Sequence, residues 1–140
     1  MTRASAGSTG DLLLSVARQV RRRYGSALAE YDITPAQSRA MRIVSDGDEP
    51  LRLSHIAERL HVAPRTATEV VDALEAIGMV ERLADPTDRR ATCVQPTPAG
   101  LRLRQVIDET RQRESTAFLD RLSAKDRADL HRILTELEES

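Results

Sequence analysis

Apolar positions recur at helical spacing along most of this chain, with one interruption that reads as a hairpin. Leu13, Val16, Ala17, Val20, Tyr24 and Leu28 share one helical face, which predicts a long first helix to about Glu30. Ser8-Thr9-Gly10-Asp11 ahead of it has the order of a capping box. Thr34-Pro35 supplies a cap and a proline at the first helical position, so a second helix is expected from Pro35 to about Ser45. The turn-rich break Asp46–Pro50 leads into a short extended segment, Leu51–Leu53. Residues 1–7, small and polar, read as a loose tail.

Ser54 is expected to cap a third helix running to Leu60, and Pro64 to open a fourth that ends at Gly78. The pair fits a helix-turn-helix, with Ala57 as the small crossing residue and His61-Val62-Ala63 as the turn. Ala67, Val70, Val71, Leu74 and Ile77 form the inner face of the second member. His61 stands where such turns often carry glycine, and histidine tolerates positive φ better than branched residues do. Taken alone, the pair also fits a helical hairpin in any bundle. The next segment narrows the choice: Met79–Leu83 and Thr92–Gln95 flank the polar turn Ala84–Ala91 as a hairpin.

Thr97-Pro98 starts a long fifth helix, its stripe running from Leu103 and Ile107 to Phe118 and Leu122. Ser123 with Asp126 forms another capping-box pattern, opening a last helix with Leu130, Ile133, Leu134 and Leu137 expected inward. The expected fold class is mainly α with a small β-hairpin wing. Its expected parts are a tail and dimerisation helix (1–34), a winged helix-turn-helix (35–97) and C-terminal dimerisation helices (98–140), in one integrated domain.

Composition adjusts this picture. With 140 residues and 40% apolar content the chain can bury a core without staples. Tyr24, Tyr31 and Phe118 are its only aromatics, so the core is aliphatic and stacking on single-stranded bases is disfavoured. Cys93, the single cysteine, excludes an internal disulfide and reads as a small apolar filler. No apolar run approaches the ~20 residues of a membrane span, and the cytoplasm is the expected compartment. The net charge of −1 requires any basic footprint to be local. His55, His61 and His131 lack ligand spacing, and no catalytic constellation is present, so neither a metal, a cofactor nor enzyme activity is expected.

The fourth helix has an informative polarity. Pro64, Arg65, Thr66, Thr68 and Glu69 lie at its start, where recognition helices meet base edges. Arg65 suits a guanine or a phosphate; Thr66 and Thr68 suit phosphate oxygens or a thymine methyl. Glu69, four residues after Arg65, either pairs with it or accepts from a cytosine amine. Asp72 and Glu75 follow on later turns. At the hairpin tip, Asp88 is expected to hold the Arg90 guanidinium, two residues along an extended strand, for insertion into a narrow minor groove. Arg89 would point the other way, towards phosphate. An ordinary solvated turn is the bland alternative. The Arg18/Arg21–Arg23 cluster either binds an anionic effector or pairs with acids of a partner subunit.

From Leu53 to Leu103 the chain resembles the MarR family of bacterial winged helix-turn-helix regulators. The likeness rests on the L-E-x-x-G-x-V-x-R run from Leu74 to Arg82, the D-P-x-D-x-R wing and the T-P-x-G opening of the next helix. The flanking helices fit the same layout. The resemblance implies a homodimer built by the first and last two helices, a wing D-x-R on Asp88 and Arg90, and control by small molecules that are often phenolic or anionic. Ala63 and Glu69 depart from the residues common at those positions, which bears on the operator. The expected function is a ligand-responsive repressor on a palindromic double-stranded operator, with half-sites ~34 Å apart. The alternative is a winged-helix interaction module that no longer touches DNA, which the near-neutral charge favours.

Overall fold

The computed structural model describes residues 7–140, so the expected tail lies, apart from Gly7, outside the described residues. The helices are α1 (Thr9–Ala29), α2 (Pro35–Val44), α3 (Leu53–Leu60), α4 (Pro64–Ala76), α5 (Pro98–Leu119) and α6 (Ala124–Glu138). The strands β1 (Leu51–Arg52), β2 (Val80–Ala84) and β3 (Thr92–Pro96) form one antiparallel sheet in the order β1-β3-β2. The chain forms two compact units, Gly25–Thr110 and the remainder, α1 and α5 contributing to both. No described helix is long and apolar enough to cross a membrane.

In the unit Gly25–Thr110 the core is aliphatic. Leu28, Met41, Ile56, Leu74, Val94 and Ile107 are each essentially sealed from solvent. Thr34 caps α2 with a full capping box, accepting from the Gln37 amide while the Gln37 side chain accepts from its own. Ala57 is buried at the crossing of α3 and α4, and His61 takes the left-handed conformation at φ 57. Histidine therefore fills the glycine-like position of the turn. Two expectations need correction. Ser54 is not a cap: Arg52, still extended, is the N-cap residue, and α3 starts at Leu53 with no side-chain cap. Ile77 is half-exposed rather than inward, because α4 ends at Ala76 and helical spacing no longer places it.

The family-like run around Gly78 has a direct physical explanation. Gly78 sits at φ 78, its amide donating to the Glu75 carbonyl, while the Met79 amide donates to the Leu74 carbonyl. These are the paired bonds of a Schellman cap, which needs a residue tolerant of positive φ. Thr97 then ties this corner to α5. Its hydroxyl donates to the Gly78 carbonyl (2.6 Å) and accepts from the Gly100 amide (3.0 Å), while its own amide donates to the Met79 carbonyl (3.1 Å).

In the other unit, Arg111 lies over the Tyr24 ring (4.4 Å) and Arg23 pairs with Glu114 (3.4 Å). Ser8 and Asp11 make the reciprocal bonds of a capping box. Ser123 accepts from the Asp126 amide, but the return bond is not formed among the described residues. The apolar stripe of α6 was expected inward, and this is corrected: Ile133, Leu134 and Leu137 are exposed, as are Leu12, Leu13 and Leu14 of α1. Helical periodicity marks an apolar face without specifying its cover, and one chain supplies none here.

Candidate nucleic-acid interface

The start of α4 is open. Ala63, the N-cap residue, has no side chain able to accept, so the first α4 amides gain no side-chain cap. Pro64 at the first position lacks an amide altogether, leaving those of Arg65 and Thr66 as the unclaimed donors. Arg65, Thr66 and Glu69 are exposed around them, and such an end attracts phosphate. Glu69 forms a loose ion pair with Arg65 at 3.8 Å, both side chains largely in solvent. Thr68 is turned back, its hydroxyl donating to the Pro64 carbonyl at 3.0 Å.

The acids further along α4 have a structural partner. Asp72 and Glu75 both accept from Arg82 of β2. One guanidinium thus neutralises two carboxylates and fastens the strand leading to the wing against the helix. Arg82 is the last residue of the family-like run.

The wing tip departs from expectation. Residues 88–90 are not extended: the Ala91 amide donates to the Asp88 carbonyl at 3.0 Å, closing a turn. Asp88 consequently does not hold the Arg90 guanidinium. Its carboxylate accepts from the Arg90 backbone amide at 3.0 Å instead. Arg89 and Arg90 are exposed, and among the described residues neither guanidinium has a partner.

The residue that organises the tip is Asp85, which sequence reasoning missed. Its buried carboxylate accepts from the Thr87 hydroxyl and amide (both 2.7 Å), the Asp88 amide (3.2 Å) and Arg52 Nε (2.6 Å). Arg52 belongs to β1, paired opposite Cys93, so the contact closes the sheet across three strands. An Asx-turn signature was available in Asp85-Pro86-Thr87; the Arg52 contact, from a distant part of the sequence, was not. Hydrogen bonds from Thr87, then from Arg52, hold the Asp85 carboxyl well below the usual carboxylate range. Burial pushes the neighbouring Cys93 thiol up, which leaves it protonated and unreactive.

A carboxyl with a depressed folded-state pKa binds its proton less readily folded than unfolded. Its contribution to stability is full above the ordinary carboxylate range and is lost only as pH falls below that range. The Thr87 and Asp88 amides should therefore keep their positions and exchange protection in NMR spectra from neutral pH down to about pH 4. In Asp85→Asn they should shift and exchange faster while helix amides stay put. Unaltered tip amides in that variant would remove Asp85 from its organising role.

The sequence model of the MarR family matches residues 33–92, from α2 through the helix-turn-helix, β2 and the wing tip to the first residue of β3. Over that segment the chain is similar to the MarR family. A Thauera aromatica protein named as a regulatory protein for the hcr operon is 30% identical over 105 residues, 75% of this chain. This chain spans 63% of that relative's length. Tm0710, a transcriptional regulator of Thermotoga maritima, is 27% identical with a TM-score of 0.70, covering 91% of this chain and 89% of its own. Wild-type MarR of E. coli in its apo form shares the fold at a TM-score of 0.89, with 24% identity over 96% of this chain and 98% of its own. The winged helix-turn-helix expected from the resemblance is thus the fold of this chain.

Proposed function

We propose that this chain is a homodimeric, sequence-specific regulator that binds double-stranded DNA and represses transcription until a small effector releases it. One observation carries the reading. The uncapped start of α4 and the guanidinium groups of Arg89 and Arg90, unpartnered among the described residues, belong to one compact unit, each solvent-facing and each suited to phosphate or base edges. Pro64–Glu69 would enter the major groove, Arg65 and Thr66 making the polar contacts. Thr68 would steady the first turn rather than reach out. Arg90 would enter the neighbouring minor groove with Arg89 on the flanking phosphate. Asp88 would act through the turn it closes.

The exposed leucines of α1 and α6 are the surface through which two copies would associate. A two-fold dimer matches a two-fold operator. An anionic or phenolic effector would act by favouring a dimer whose recognition helices have the wrong separation; without such differential affinity nothing shifts. Selection from a random duplex pool tests the reading. The expected consensus is a palindrome with half-site centres ~34 Å apart, bound by two chains. Failure to enrich any duplex, or an asymmetric site bound by one chain, contradicts it.

A further inference from the structure

A second concentration of arginine is built from residues with no part in the proposed DNA grip. A pocket of ≈ 180 Å³ is walled by Arg39, Arg42 and Ile43 of α2, Asp46 beyond its end, Arg59 of α3 and Arg104 of α5. Four guanidinium groups thus face one lining carboxylate, and among the described residues only Arg104 has a close acid outside the pocket, Asp108 at 2.8 Å. Two are anchored by backbone: Arg39 donates to the Leu60 carbonyl at 2.7 Å, and Arg104 to the Arg42 carbonyl at 2.9 Å. Asp46 compensates weakly, standing 3.5 Å from Arg59 and 3.8 Å from Arg104 with most of its side chain in solvent. The Nε–H of Arg42 is buried without a hydrogen-bond partner among the described residues. Like charges held together around a cavity, with a buried donor unmet, form a site whose missing component is negative.

We propose that this pocket binds a compact, multiply charged oxyanion of the phosphate class. Ile43 is its one apolar wall, and its volume is below the ~300 Å³ where apolar small-molecule sites begin, which disfavours an aromatic occupant. The planar forks of arginine suit phosphate oxygens. The occupant would displace Asp46 from its two long pairs. Because Arg39 holds the last carbonyl of α3, it would bear on the turn before α4. The same chemistry is carried by free phosphate and by a DNA backbone phosphate.

The test is an NMR titration of the full-length protein with inorganic phosphate, against chloride at matched ionic strength. Saturable shifts confined to the pocket residues are expected. Arg42→Gln should weaken the phosphate affinity about tenfold. Asp46→Asn, at an exposed position that tolerates change, should tighten it a few-fold by removing the internal competitor. Duplex affinity falling in parallel in Arg42→Gln assigns the backbone phosphate as the source; unchanged duplex affinity assigns a free anion. Equal responses to phosphate and chloride, or one affinity for all three folded proteins, would overturn the proposal.

Discussion

Gly100→Ala is expected to destabilise the protein by about 3 kcal/mol or more, beyond the usual range for overpacking. A Cβ at this position would lie 1.9 Å from the Met79 carbonyl oxygen and 3.2 Å from the Met41 side chain. The oxygen cannot withdraw, because it accepts from the Thr97 amide and follows the Schellman corner at Gly78. Relief therefore requires α5 to move off the corner, at the cost of the Thr97 cap and of packing around Ile107. In a chain of this size such a change lowers the thermal midpoint by about 10 °C. Gln105→Ala, exposed on the same helix, should fall within about 0.5 kcal/mol of wild type. Equal melting of the two variants would mean that α5 does not depend on this close approach.

Replacing Arg89 and Arg90 together by alanine should weaken duplex binding roughly thirtyfold or more, with little change in stability. The free protein gives these guanidinium groups no internal partner among the described residues, so meeting DNA breaks nothing. Arg52 and Arg82 differ, since one is committed to Asp85 and the other to Asp72 and Glu75. Arg65 is intermediate, its pair with Glu69 being exposed and worth little. The double variant should also flatten the salt dependence by about 0.9 for each phosphate it no longer neutralises. Unchanged affinity and slope would leave the wing outside the interface.

Local signals in the sequence proved reliable where the chemistry is itself local. Thr34-Pro35, Ser8 with Asp11 and Gly78 each specify a cap through residues within one turn, and each forms. The helix-turn-helix was legible because Ala57, Ala67, Val71 and Leu74 must interdigitate for two short helices to cross. Readings failed where the outcome depended on partners far along the chain or on backbone shape. Ser54 lost its capping role because β1 carries extension up to Arg52. Asp88 and Arg90 have the two-residue spacing of an extended segment, but the turn at the tip redirects the Asp88 carboxylate to the backbone. The Asp85–Arg52 contact spans 33 positions and leaves only half its signature in the local sequence. The arginine pocket gathers residues from α2, α3 and α5 that no spacing rule connects.

Equilibrium binding to a selected duplex as a function of salt probes the proposed grip most directly. Two protomers, each neutralising several phosphates, predict a linear fall of log K with log salt and roughly a thousandfold or greater loss between 50 and 200 mM. Affinity that ignores salt, or no measurable duplex binding at the low end, would contradict the account.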